Sequence, residues 1–233
     1  MKRAWLLSSV VALVFGGAAN AVTMSSIIAS QSGCIQFGDK LFCGFSLTGP
    51  SFVNPTNVDV SGDPASGVPS STVNINFGGA FSAGSGETND WRLQYNVTAL
   101  NGLITGIDQA FNAGANGTAG SINIAENVWG MPVFSGNPVA KSSVGCMNAV
   151  CDQADPDPEP ITGDQLVISP PLKQVWVTKD IFLRGNAGGE VFATLIHQSF
   201  HQTAIPEPIH YSLLLCGALV VGLYVKSRKR ALS

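Results

Sequence analysis

Charged side chains are scarce in this sequence, and basic ones are scarcest in its central part. Charged residues make up 12% of the 233 residues, and six of the 12 Lys and Arg residues stand in the first three or last eight positions. Too few cations remain for the basic surface that binds a nucleic acid backbone, so no nucleic acid partner is expected. With 45% hydrophobic residues and 26 Gly, the composition also excludes a disordered polymer, a coiled coil and a collagen.

Local motifs for catalysis are missing as well. The sequence has no G-x-S-x-G, S-x-x-K or H-E-x-x-H segment, which are signatures of several hydrolase classes. Only His197 and His201 precede the last 30 residues. On the strand predicted there, four steps of about 3.3 Å set them too far apart to share one metal ion. We interpret both as polar residues near the end of a strand, and we expect no enzyme, no cofactor and no metal site.

The N-terminus has the three parts of a secretory signal peptide over residues 1–21. Lys2 and Arg3 come first, an apolar run follows, and the small residues Ala19-Asn20-Ala21 close the segment. We therefore predict export and cleavage after Ala21 by signal peptidase.

Residues 205–233 carry three further features in a fixed order. They are the tripeptide Pro206-Glu207-Pro208, an uncharged stretch over residues 209–225, and a basic cluster of Lys226, Arg228, Lys229 and Arg230. A helix over the uncharged stretch would reach about 26 Å, enough for a thin bilayer. The basic cluster would then stay on the cytoplasmic side. We predict a transmembrane span at 209–225 and a basic tail at 226–230.

This order, in a chain that begins with a signal peptide, resembles the PEP-CTERM sorting signal of Gram-negative bacteria. The resemblance implies that an exosortase-type processing enzyme, a membrane-embedded cysteine transpeptidase, cuts near Pro206-Glu207-Pro208. The body would then be released or passed to the cell surface after transient membrane anchoring. Members of the family typically accompany exopolysaccharide production and biofilm formation. His210 and Tyr211 depart from the family pattern, which commonly has small polar residues at those positions.

The segment between the signals, residues 22–204, predicts a single all-β domain. Apolar residues alternate with polar ones around Val73-Ile75-Phe77 and around Trp91-Leu93-Tyr95-Val97, which is the period of a half-buried strand. Clusters of Gly, Asn, Ser and Pro separate these runs at a spacing typical of a β-sandwich or jelly roll. Six cations stand against 14 acidic residues there, a net charge of −8 that repels anionic polymers. The other predicted strands are 35–37, 41–45, 103–107, 122–128, 166–169, 175–183 and 191–198.

Four cysteines predict two disulfides in an oxidising compartment. Cys34 and Cys43 fit a hairpin with the turn Gly38-Asp39, in which they face each other as a non-hydrogen-bonded pair. Their Cα atoms would lie about 4.5 Å apart, which a disulfide spans. Cys146 and Cys151 would close a second short loop, so we favour these two among the three connectivities. A zinc site is disfavoured because neither spacing is C-x₂-C.

Two features remain as candidate ligand contacts. The acidic stretch from Asp152 to Asp164 could hold Ca²⁺, but its interleaved prolines favour an extended, solvated loop that spreads the carboxylates apart. Trp91 and Trp176 fall in strand patterns that predict core positions. Trp129 stands at a strand-to-turn boundary, where an aromatic ring can stack on a sugar.

The resemblance to the PEP-CTERM family, together with the missing catalytic signatures, implies a non-enzymatic protein of the outer surface or extracellular matrix of a Gram-negative bacterium, associated with exopolysaccharide or biofilm. A carbohydrate- or calcium-binding module is the first alternative. A secreted hydrolase, with residues assembled from distant loops, is the second.

Overall fold

The computed structural model describes residues 21–64, 66–67, 70–117, 120–132, 136–147 and 166–203. The predicted signal peptide up to residue 20, Cys151, the acidic stretch and the sorting tail lie outside these residues. Within them, no helix has the length and apolar character needed to span a bilayer.

The described part of the chain is almost entirely strand. In chain order the elements are β1 (Val22–Thr23), α1 (Met24–Ala29), β2 (Cys34–Phe37), β3 (Lys40–Thr48), β4 (Asp59–Asp63), β5 (Thr72–Ala83), β6 (Thr88–Ala99), β7 (Leu103–Gly117), β8 (Ser121–Trp129), β9 (Ala140–Met147), β10 (Leu166–Leu172), β11 (Gln174–Arg184) and β12 (Gly189–Thr203).

The strands form two six-stranded sheets whose paired strands are all antiparallel. Sheet A has the order β1-β4-β5-β12-β7-β10, and sheet B has the order β2-β3-β6-β11-β8-β9. From β5 onward the chain pairs as a long rolled hairpin: β5 with β12, β6 with β11, β7 with β10, and β8 with β9. This is the pairing of a jelly roll. The prediction of an all-β sandwich is confirmed.

The core lies between the sheets and follows the predicted alternation. Val73, Ile75 and Phe77 of β5 are fully buried, and so are Trp91 and Val97 of β6. Aromatic rings join the layers in a chain of contacts, with ring centroids 5.3 Å apart for Phe77 and Tyr95, 5.8 Å for Phe45 and Tyr95, and 6.4 Å for Tyr95 and Phe200. Apolar burial on this scale is the main source of stability for the sandwich.

The predicted hairpin and its disulfide are confirmed. β2 and β3 pair with Cys34 opposite Cys43 and Phe37 opposite Lys40, and a disulfide joins the two cysteines at a Cα separation of 4.2 Å. Gly38 has φ +53°, a conformation that the turn requires and that glycine adopts without a side-chain clash. Cys146 also takes part in a disulfide. Its predicted partner, Cys151, lies outside the described residues, so that pairing stays a prediction.

Charged side chains enter the core at two places. Lys40, beside the hairpin turn, is fully buried, and its Nζ lies 3.3 Å from Asp39 Oδ1 and 3.0 Å from Gln202 Oε1. Lys179 and Glu126 form a second buried pair near the middle of the sandwich. The sequence analysis predicted no charged residue in the core. Lys179 nevertheless stands on the same face of its strand as Val175, Val177 and Ile181.

Candidate functional site

An open groove of about 630 Å³ lies on the outer face of sheet B. We call it the sheet B groove, and its outward side chains come from three neighbouring strands. They are Ser121, Asn123 and Ala125 of β8, Ser143 of β9, and Asp180 and Phe182 of β11.

Strand alternation explains why these residues face outward. On β11, Lys179, Ile181 and Leu183 are buried between the sheets, so Asp180 and Phe182 point away from the core. Gly145 contributes to the floor of the groove. A side chain does not fit at this position, because its Cβ would collide with the Ile122 carbonyl of the paired strand. A shallow depression results, with backbone exposed where a side chain would otherwise fill it.

Phe182 is the exposed aromatic residue of the groove. It keeps 36% of its surface exposed although it lies in the middle strands of sheet B. Its register partners are Asp90 on β6 and Asn123 on β8, so polar side chains flank the ring on both sides. Across the groove, the Ser143 hydroxyl donates a hydrogen bond to Asn123 Oδ1 at 3.0 Å. An apolar ring edged by hydroxyl, amide and carboxylate groups suits a ligand that has both kinds of surface.

Two carboxylates meet at the rim of the groove. Asp90 and Asp180 stand on adjacent strands, and the pKa of Asp90 is raised from its ordinary value of 3.8. Burial is the largest cause, followed by charge repulsion from Asp180 and a hydrogen bond with it, while Arg92 acts in the opposite direction. Among the described residues no group of three or more His, Cys, Asp or Glu side chains could hold a metal ion.

Two tryptophans stand at the far end of the same face. Trp129, the predicted ligand contact, ends β8 and is half-buried, and its register partner on β11 is Trp176. The prediction that Trp176 is a core residue is wrong, because it is half-buried on the outer face between the buried Val175 and Val177. β11 lies inside sheet B and carries apolar residues on both faces, which hid the phase of Trp176. The core position of Trp91 is confirmed by its full burial.

The outer face of sheet A carries a separate polar network on β5, β7 and β12. His201 Nε2 lies 2.5 Å from Asp108 Oδ2, and His201 Nδ1 lies 3.1 Å from Thr72 Oγ1. Ser199 Oγ donates to the same Asp108 oxygen at 3.4 Å. We call this the His201 network. An acid, an imidazole and a hydroxyl in a row are the parts of an acyl-transfer relay.

The predicted strand position of both histidines is confirmed, since β12 contains His197 and His201. The His197 ring bonds to Asn76 Oδ1 at 2.6 Å. The pKa of His197 is lowered from 6.5, chiefly by burial and then by the charge of Lys179, against an opposing effect of Asp108. The two histidines therefore belong to different hydrogen-bond groups.

Comparisons with known proteins do not show a family for this chain. No protein-family model matches the chain, and no curated protein matches it at a significant level. Among solved structures, it is similar to the module TmCBM61 in complex with beta-1,4-galactotriose, at 13% identity over 66% of this chain and 86% of that chain, with a TM-score of 0.29. It is also similar to the enzymatically active domain of tailspike protein 4 from bacteriophage CBA120, at 14% identity over 68% of this chain and 19% of that one, with a TM-score of 0.20. TM-scores this low carry no argument about the fold or the function of this chain.

Proposed function

We propose that this chain is an exported, non-enzymatic protein of the bacterial surface or extracellular matrix, whose body binds polysaccharide in the sheet B groove. The exposed Phe182 ring among polar side chains is the observation that carries the binding proposal. The export half is supported by the order of signal peptide, Pro206-Glu207-Pro208, span and basic tail in the sequence. The Cys34–Cys43 disulfide fits an oxidising compartment outside the cytoplasm.

A sugar ring fits the groove chemically, because pyranose rings have an apolar C–H face and a rim of hydroxyl groups. Phe182 offers an aromatic face for the first, and Asn123, Ser143 and Asp180 offer donors and acceptors for the second. The sandwich is acidic, and Asp90 and Asp180 add negative charge at the rim. We therefore assign a neutral polysaccharide rather than an anionic one.

The binding proposal predicts that Phe182→Ala abolishes retention on neutral polysaccharide. The measurement is affinity electrophoresis of the folded protein through gels that contain neutral or acidic polysaccharides, together with a glycan array. Leu195→Ala is the matched control, because Leu195 has a similar exposed fraction, 37%, on the outer face of sheet A. Wild-type protein that is retained by no glycan, or a Phe182→Ala variant that is retained normally, would contradict the groove assignment.

Trp129→Ala tests whether the ligand extends along the outer face of sheet B. Trp129 lies several residues along β8 from the groove. A long polysaccharide chain that reaches it should bind more weakly to Trp129→Ala, whereas a single sugar in the groove should bind unchanged. Loss of binding in Trp129→Ala alone would move the site to the tryptophan pair.

A secreted hydrolase is the second candidate, and the His201 network is the observation that favours it. Its acid, imidazole and hydroxyl are aligned, but the backbone N–H of Thr72 already donates to Ser70 Oγ at 3.2 Å and is not free to stabilise an oxyanion. Turnover of an ester, glycoside or peptide substrate that is lost in both Thr72→Ala and His201→Ala would establish this candidate. No turnover across such a panel would reject it.

A further inference from the structure

Three fully buried polar side chains meet between the two sheets, close to the middle of the sandwich. They are Lys179 of β11, Glu126 of β8 and Gln109 of β7, with exposed fractions of 0%, 1% and 2%. We call them the buried triad. Two members come from sheet B and one from sheet A, so the triad bridges the layers. Neither the sheet B groove nor the His201 network uses these groups.

The triad brings an amine within reach of a carboxamide. Lys179 Nζ lies 2.5 Å from Glu126 Oε2 and 2.8 Å from Gln109 Oε1. The carboxamide carbon of Gln109 is therefore one bond away from an atom that already contacts the amine. Strand register fixes this placement, because Lys179 stands directly opposite Glu126 in sheet B.

The carboxamide is also held in one orientation. Gln109 Nε2 donates to the Ile124 carbonyl at 3.1 Å and to Ser142 Oγ at 2.5 Å, which turns its oxygen toward Lys179. On the other side, Glu126 Oε1 lies 3.4 Å from Gln198 Nε2. Both reacting groups are thus oriented before any reaction, and bulk water is excluded from them.

Stability alone does not account for the triad. Replacing a buried ion pair by apolar residues of similar volume is often neutral or stabilising, because desolvation of the charges offsets their attraction. A lysine amine within hydrogen-bond distance of both a carboxylate and a primary amide does, however, bring together the reactants and the acid–base group for amide exchange. The Lys40, Asp39 and Gln202 group differs, since Gln202 is only half-buried.

We propose that Lys179 and Gln109 become joined by a covalent amide bond that links β11 of sheet B to β7 of sheet A. Glu126 accepts a proton from the Lys179 ammonium, and the freed Nζ lone pair attacks Cδ of Gln109. The Nζ–Cδ bond forms, and Glu126 passes a proton to Nε2. The Cδ–Nε2 bond then breaks and the amide carbonyl is regenerated, while Nζ gives one of its two remaining protons to the departing ammonia, which leaves as ammonium. No electrons are gained or lost, and the net products are a secondary amide and ammonium.

Peptide mass spectrometry of the full-length chain tests the bond directly. The protein is denatured, reduced and digested with trypsin, which cleaves after free Lys and Arg. The expected product is residues 93–141 joined to residues 174–184, lighter by one ammonia than the two peptides together, with no cleavage after Lys179. Cleavage after Lys141 and Lys173 shows that digestion is complete. Separate, full-mass peptides 93–141 and 174–179 would overturn the proposal.

Glu126→Gln tests the proton transfer without removing the reactants. Its fold is checked by circular dichroism, and the expected digest contains only the separate peptides. A joined product in the folded variant would reject the assigned role of Glu126. Peptide 93–141 also contains Asn101-Gly102 and Asn116-Gly117, which can lose ammonia by cyclisation without joining two peptides. The readout is therefore the joined peptide and not the loss of ammonia alone, and a joined product that persists in Lys179→Arg would contradict the assignment to Lys179.

Discussion

At the scale of a single residue, Asp90 lowers the stability of the fold while it adds a carboxylate to the rim of the sheet B groove. Neighbouring strands place Asp90 and Asp180 together on the outer face of sheet B, and the pKa of Asp90 is raised by burial and by Asp180. The folded protein therefore binds the Asp90 proton more readily than the unfolded chain. At neutral pH, where both states are ionised, the carboxylate pair reduces the free energy of unfolding.

Replacing this carboxylate by an amide should stabilise the protein in a pH-dependent way. We expect Asp90→Asn to raise the melting temperature at neutral pH, because the repulsion from Asp180 is removed. The difference should shrink as the pH falls through the raised pKa of Asp90, since the wild-type carboxyl is then protonated as well. Thermal unfolding across an acid-to-neutral series measures this. Glu190→Gln, an exposed change on β12, is the control, and an equal gain at every pH would contradict the explanation.

At the scale of elements, the apolar strands were predictable from the sequence and the polar ones were not. Alternation located β5 and β6, and cysteine spacing fixed the β2–β3 hairpin with its register. β7 was predicted to end at residue 107 but continues to Gly117. The prediction stopped short because Asp108 and Gln109 interrupt the apolar pattern. Both are polar residues that the fold buries with hydrogen bonds, Asp108 to His201 and Gln109 to the Ile124 carbonyl. β4 and β9 were missed, since both contain few large apolar residues.

The sheet B groove could not be predicted from the sequence, for a related physical reason. Phe182 reads as one more apolar residue in the run 175–183, and only the phase of β11 relative to its neighbours turns it outward. Asn123 and Ser143 are far apart in sequence and meet through the pairing of β8 with β9. Alternation alone predicts which residues of a strand share a face. It does not predict which face points into the core when both faces carry apolar side chains.

The length of the loop that the Cys34–Cys43 disulfide closes predicts how much the disulfide stabilises the protein. The Cys34–Cys43 bridge closes a loop with a sequence separation of 9. In the chain-entropy model, such a loop contributes on the order of 2 to 3 kcal/mol by restricting the unfolded chain. We expect the double variant Cys34→Ala/Cys43→Ala to lose about this much free energy of unfolding in urea titrations. Using the variant rather than a reductant leaves the disulfide of Cys146 intact, and an unchanged free energy of unfolding would contradict the estimate.

At the scale of the whole molecule, the proposed function joins two parts that act in sequence. In this proposal, the terminal signals determine where the chain is delivered, and the sandwich determines what it binds after delivery. Among the residues that the structure describes, the elements of the body run from Val22, next to the predicted signal peptidase site, to Thr203, shortly before Pro206. The predicted cleavages at both ends would therefore leave the sandwich whole.

Removing residues 226–230 should interrupt delivery. The basic cluster is expected to hold the span in the membrane and to mark the tail for the processing enzyme, so the truncated chain should accumulate in the membrane or periplasm. Fractionation of producing cells, followed by intact-mass analysis of each fraction, measures this. A chain that lacks only residues 231–233 is the control. Normal surface delivery without the basic cluster would contradict the sorting proposal.

The position of β12 has a mechanical consequence. β12 is the last strand that the structure describes before the predicted tail, and it lies inside sheet A between β5 and β7. In the proposed anchored state, drag on a bound polymer would be transmitted to the tail through the C-terminal end of β12, and a pull along the strand is the case to consider. Ladder hydrogen bonds run perpendicular to the strands, so such a pull loads both flanking ladders in shear and all their bonds resist together. A terminal strand at the edge of a sheet would instead peel away one hydrogen bond at a time. We therefore expect this sandwich to unfold at a higher force than one that is anchored through an edge strand.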